Sequence, residues 1–238
     1  MSQALRNALD RCAEAGRPAR LWLRDDDAVD PTPALERLLR LTDTVPVTLA
    51  VIPAASGQAL ADRLAEADRV TVAVHGWSHA NHAGTEEKKQ ELGPHRPVSA
   101  VVADLGRGFR QLATLHGPRF APVLVPPWNR IATEVAAALP AVGFRALSVF
   151  GPEKPAPLPV INTHVDPVDW HGTRSARPLP GVMDDLAQAV GRGGAVGVLT
   201  HHLIHDAALW RLLEHLLELT RDHPGCRWVS LPDLMSAG

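Results

Sequence analysis

The chain has 238 residues, 45% of them hydrophobic and 21% charged, enough apolar material for one α/β barrel or two small domains. A formal net charge of -2, with no basic block beyond Lys88 and Lys89, argues against a nucleic acid or an anionic membrane as partner. Its two cysteines, Cys12 and Cys226, have the spacing of neither a disulfide framework nor a cysteine zinc site, which fits a reducing compartment.

In chain order, the first twenty residues carry charges every few positions (Arg6, Asp10, Arg11, Glu14, Arg17, Arg20) and no continuous apolar stretch, unlike a signal peptide. No later run approaches membrane-spanning length, so a cytoplasmic protein is expected. Short apolar runs suited to strands fall at residues 21–23, 47–51, 70–74, 123–125, 145–149, 160–164, 196–200 and 227–230. Between them, residues 33–41, 59–67, 98–115, 131–139, 183–190 and 207–220 carry apolar positions at helical spacing. Runs apolar on both faces suit a parallel sheet covered by helices. The first run ends in Asp25, Asp26 and Asp27, where an open doubly wound sheet would place a glycine-rich phosphate turn. A barrel gathers its chemistry at the C-terminal ends of its strands, where these acids, His75 and His201 all fall. The Gly- and Pro-rich segments 151–159 and 172–181 are too short to divide domains, so residues 1–238 are expected to form a single domain, a distorted barrel of seven or eight βα units.

Three adjacent carboxylates near a core repel one another and lose hydration, which is tolerable where a cation or a reaction uses them. His75 and His79, four residues apart, can both face one ion, and an aspartate from another strand would complete an Asp-His-His set with positions left open for water and substrate.

These residues resemble the polysaccharide deacetylase superfamily, the NodB homology domain of carbohydrate esterase family 4. Its pattern runs Asp-Asp, H-[ST]-x-x-H, R-x-P-[YW], D-x-x-D-W and L-x-H. Here the same order is kept by Asp26-Asp27, His75 with His79, Pro126-Pro127-Trp128, Asp166-Pro167-Val168-Asp169-Trp170 and Leu199-Thr200-His201. The resemblance implies a barrel of the polysaccharide deacetylase type in which Asp27, His75 and His79 hold a divalent metal, usually zinc. It implies Asp26 as general base towards a metal-activated water and His201 as the acid that protonates the leaving group, with Asp169 as partner of His201. The Trp128 N–H would stabilise an oxyanion, and Trp170 and Leu199 would wall a small acyl pocket. The implied reaction is removal of an acyl group, N-acetyl first, from an amino sugar or related small amide. The partner is then a small molecule or glycan, and the oligomeric state stays open. A carbohydrate-binding or regulatory module that keeps the fold without catalysis is the alternative.

The chain departs from the pattern in three places. Val125 stands where the arginine that steadies the catalytic aspartate is expected, and either Arg130 or Arg24 could supply that charge. Gly76 replaces the Ser or Thr after the first histidine. The triplet allows two registers, of which Asp26-Asp27 is preferred over Asp25-Asp26, leaving Asp25 to cap a turn or pair with Arg24. His202 and His205 read as polar residues at a helix start with Asp206 as N-cap, and Trp22, Trp210 and Trp228 as core. The charged segment 84–97 reads as a solvated loop, or as a lid bringing Lys88, Lys89 or Arg96 to substrate.

Overall fold

The computed structural model describes residues 3–236. Seven strands form one sheet in which every paired neighbour is parallel: β1 (Ala19–Ala28), β2 (Val47–Val51), β3 (Val70–His75), β4 (Phe120–Val125), β5 (Ala146–Leu147), β6 (Ala195–Thr200) and β7 (Cys226–Trp228). Their order is β5-β4-β3-β2-β1-β6, with β7 joined to the first residues of β1. Eight helices accompany them among the described residues: α1 (Gln3–Glu14), α2 (Pro33–Leu41), α3 (Gln58–Ala65), α4 (Val98–His116), α5 (Thr133–Val142), α6 (Leu179–Arg192), α7 (Ala207–Thr220) and α8 (Leu231–Ser236). The curled sheet with its surrounding helices is the expected distorted barrel.

Between β5 and β6 run residues 160–164, which were expected as a strand. They form no strand, only isolated bridges from Leu147 to Val160, Phe150 to Thr163 and Val165 to Val198. Backbone bonds still link them to both neighbours, Ile161 N–H to the Leu147 carbonyl, Thr163 N–H to the Val149 carbonyl and His164 N–H to the Gly197 carbonyl, and side chains add to these. The Asn162 amide accepts from Val149 N–H and donates to the Gly151 carbonyl, while the Asn162 carbonyl accepts from Trp22 Nε1. Pro157 and Pro159 lead into this stretch without N–H donors of their own.

Two apolar layers result. Leucines and valines of the helices and of the outward strand positions form the larger one. Inside the curl, Trp22 is fully buried within a cluster containing Ala50, Ala73, Ala121, Val123, Val125 and Ala146, and α8 adds Leu231 and Leu234. One indole thus fills a space lined mainly by small residues; burying ~200 Å² of it contributes roughly 5 kcal/mol. Gly197 belongs to this fit, since a Cβ there would lie 2.6 Å from Trp22 Nε1 and from the Asn162 carbonyl oxygen.

At the helix ends, Thr32 caps α2 through Leu35 N–H, and Asp206 caps α7 through Ala208 and Leu209 N–H, as expected for Asp206. The charged N-terminal segment, read only as unlike a signal peptide, forms α1, which buries Leu5, Ala8 and Leu9 and packs on α6. None of the described helices is long and apolar enough to cross a membrane.

His116, at the end of α4, is 5% exposed, and both its ring nitrogens are buried without hydrogen-bond partners. Burial, helped by the charge of Arg119, pushes its pKa down to about 4. The unfolded chain takes up a proton near the ordinary histidine pKa of about 6.5, whereas the folded chain refuses it until about 4, so stability falls as pH drops through that window. We expect His116→Leu to flatten the pH dependence of the melting temperature between pH 6.5 and 4.5, part of the slope remaining because burial lowers the pKa of His205 in the same way. An unchanged slope in thermal unfolding scans across this range would remove His116 from the account.

Candidate metal centre and active site

Neighbouring residues of a strand face opposite sides of a sheet, so three successive aspartates cannot serve one site without a local break. β1 contains that break. Asp25 pairs with Leu49 and Asp26 with Ala50, but the next partner, Val51, aligns with Ala28, leaving Asp27 as the extra residue of a bulge with φ 75°. Asp26 faces the inside of the curl, and the bulge turns Asp27 to the same mouth. Asp25 faces the other way, where its carboxylate accepts the His202 backbone N–H at 2.8 Å and pairs with His202 Nδ1.

Asp27 Oδ1 lies 3.2 Å from His75 Nε2 and 3.4 Å from His79 Nε2. Donors bound at about 2.0–2.2 Å to one tetrahedral ion stand about 3.3–3.6 Å apart, so the three atoms have the separation of a coordination set. They also have the right chemistry. His75 Nδ1 donates to the Val125 carbonyl at 2.9 Å, which leaves the Nε2 lone pair facing inward. Asp27 Oδ1 is buried and receives no well-formed hydrogen bond. Burial opposes its charge, but His75, and more weakly His201 and His79, hold the carboxyl well below the ordinary range, so Asp27 is ionised. The residues present therefore fit a divalent cation.

Arg24 supplies the charge missing at Val125. Its Nε and Nη2 reach the two oxygens of Asp26 at 2.9 and 3.0 Å, and Nη1 donates to Ser148 Oγ at 2.7 Å. Arg24 is fully buried and Asp26 is 3% exposed. This corrects the placement of Arg130 among the catalytic groups: its guanidinium turns away to donate to the Lys89 carbonyl at 2.9 Å. The reason lies in strand geometry. Arg24 precedes Asp26 by two residues and shares its face, whereas Arg130 follows the turn at Trp128 and Asn129, both at positive φ, and leaves the mouth.

His201 follows β6 at the same mouth. Its neighbour Trp170 stands edge-on to the imidazole at 4.9 Å between ring centroids and is 39% exposed. Asp169, expected to partner His201, instead accepts from Thr173 N–H at 3.0 Å and Thr173 Oγ1 at 3.3 Å, closing a surface turn. The buried acid of that motif is Asp166, three residues earlier. It accepts from Trp170 Nε1 at 2.8 Å and from Val168 N–H at 2.9 Å, and lies close enough to His201 to feel its charge; burial nonetheless raises its pKa. Trp128 packs on His79, ring centroids 4.2 Å apart. Leu199 pairs with Arg24 in parallel register, so it shares the inner face and is 2% exposed.

Two further groups escaped the sequence reading. His202 is buried against Asp25 rather than exposed at a helix start. Glu91, inside the segment read as a solvated loop or lid, is 1% exposed and bonded to the histidine turn. Arg96, proposed for substrate, pairs with Asp104 at 2.7 Å. Leu92 after Glu91 was the one available signal, a lone apolar residue in a polar stretch; Leu203 and Ile204 after His202 are themselves exposed and gave none.

No family model matches the sequence, and comparison with curated proteins finds no significant relative. Solved structures do match. A Mycobacterium smegmatis protein provisionally assigned as a polysaccharide deacetylase superimposes with a TM-score of 0.72 at 14% identity, over 93% of this chain and 90% of its own. A family 4 acetyl xylan esterase from Clostridium thermocellum, solved with a cobalt ion, gives a TM-score of 0.57 at 13% identity over 92% and 91%. A mutant of a CE4 family pseudoenzyme with restored activity gives 0.61 at 17% over 92% and 68%. This chain therefore has the fold of the polysaccharide deacetylases and carbohydrate esterase family 4 enzymes.

Proposed function

We propose that the chain is a metal-dependent hydrolase that removes an acyl group, N-acetyl first, from an amino sugar or a related small amide. The observation that carries this reading is the placement of an arginine-clamped carboxylate, Asp26, beside the convergent Asp27, His75 and His79 donors, with His201 at the same mouth. A binding module would need the ligands but not a separate base and acid.

A divalent ion, zinc by preference, held by Asp27, His75 and His79 would polarise the acyl carbonyl and acidify water. The chain's own groups do the rest. Asp26, fixed by two hydrogen bonds from Arg24, accepts the proton of the water that attacks the carbonyl carbon. The Trp128 N–H is the proposed donor to the developing oxyanion. His201 delivers a proton to the leaving nitrogen as the C–N bond breaks, releasing a carboxylate and an amine. Trp170 meets His201 in a T-shaped contact, and Asp166, bonded to Trp170, keeps that indole in place. Asp166 thus takes the supporting part that the resemblance gave to Asp169.

Purified protein should hold close to one equivalent of zinc or another first-row metal by plasma mass spectrometry, lost in His75→Ala and Asp27→Ala. Acetate release from N-acetylated amino sugars should fall about 10²–10⁴-fold in Asp26→Asn with metal retained. Metal content without turnover on any acyl substrate, and unaltered glycan affinity in Asp26→Asn, would instead favour the binding module. Arg24→Met strands a buried carboxylate and should lower unfolding stability by about 3–5 kcal/mol, read from urea denaturation.

A further inference from the structure

The histidine turn is held from behind by one buried carboxylate. Glu91 accepts the successive backbone N–H groups of Trp77, Ser78 and His79 at 3.2, 2.7 and 3.3 Å, together with Ser78 Oγ at 3.1 Å. Three consecutive amides aimed at one anion form a nest, and a charged acceptor makes such bonds about twice as strong as neutral ones. The turn needs that support, because His79 sits at φ 57°, a conformation that costs a non-glycine residue about 1–3 kcal/mol.

Glu91 is itself fixed from both sides. Arg130 donates to the Lys89 carbonyl at 2.9 Å, His82 N–H donates to the Gln90 carbonyl at 3.0 Å, and Ala132 N–H donates to the Leu92 carbonyl at 2.8 Å. Leu92 is 1% exposed and bridges to Ile131. Gly76 gives the carboxylate its way in. It has φ +61°, and a Cβ there would lie 2.1 Å from Glu91 Oε2 and 2.7 Å from Pro127 Cγ. The departure from Ser or Thr at this position thus has a steric reason, and Gly76 and Glu91 form a matched pair.

We propose that Glu91 is a positioning residue for the metal centre: clamping residues 77–79, it holds the Nε2 atoms of His75 and His79 at binding distance from Asp27, with Gly76 as the gap that admits it. This rests on the metal reading of the Asp27, His75 and His79 set.

The test is the zinc dissociation constant of the full chain, measured by competition with a chromogenic chelator, beside circular dichroism and thermal unfolding of the metal-free protein. Glu91→Gln, which keeps the shape but turns amide hydrogens toward the nest, should bind zinc 10–100-fold more weakly. Gly76→Ala should shift affinity in the same direction with Glu91 intact. Wild-type affinity in a folded Glu91→Gln protein overturns the clamp, as does a lower metal-free melting temperature with unchanged zinc affinity, the mark of a purely structural contact. Should Glu91→Gln fail to fold, Gly76→Ala and Ser78→Ala, which displace the carboxylate and remove one of its donors, decide on the same readout. A wild-type chain that takes up no zinc, cobalt or manganese overturns the metal reading and the clamp with it.

Discussion

A guanidinium inside a barrel must be neutralised where it lies, because an isolated ion in that medium is expensive by far more than a fold's net stability. Arg24 meets that demand with Asp26 and Ser148, and the rest of the site follows from it. Below Arg24, Trp22 closes the interior against water; above it, Asp26 is presented at the mouth with both oxygens oriented. The small residues opposite, Ala50 and Ala73, leave room for this column of large side chains on β1. Replacing the pair by apolar residues would preserve the fold, as is often so for buried ion pairs, but it would remove the oriented carboxylate.

Backbone strain gathers at the same mouth. Four of the five non-glycine residues at positive φ among those described are Asp27, in the bulge near the end of β1, and His79, Trp128 and Asn129, in the turns after β3 and β4, and each stretch carries a proposed site group. Such conformations persist only where the surroundings overdetermine them. Here they are held by the register shift of β1, the carboxylate of Glu91 and the prolines before Trp128. The opposite mouth, near Leu231 and Leu234 of α8, packs into the inner cluster without comparable strain.

A second buried pair, Asp25 with His202, ties β1 to the residue after His201 on the outer side of the sheet. With Arg24 and Asp26 on the inner side, consecutive charged residues of one strand are anchored on opposite faces. The alternation that would scatter a run of acids instead gives each a separate partner. Asp25 fastens β6, Asp26 is fastened by Arg24, and Asp27, freed by the bulge, remains open to a cation.

The sequence by itself determined the seven strands and six of the eight described helices in their order, the barrel class and the gathering of acids and histidines at one end, because these follow from local periodicity and from where apolar runs stop. Helices 33–41 and 207–220 and strand 47–51 match the structure residue for residue, since pattern and burial coincide there. Only the tertiary structure decided which charged groups meet. Arg24 over Arg130, Asp166 over Asp169 and the buried place of Glu91 depend on strand facing, on a one-residue bulge and on contacts between segments remote in the chain. The strand expected at residues 160–164 is reduced to isolated bridges: its backbone bonds to Leu147 and Val149 on one side and to Gly197 on the other, but the Asn162 side chain and the Trp22 indole interrupt that pairing, and a hydropathy pattern is blind to both. Charge and spacing are local properties of a sequence, but the pairing of buried charges is set by the three-dimensional cost of leaving any one of them alone.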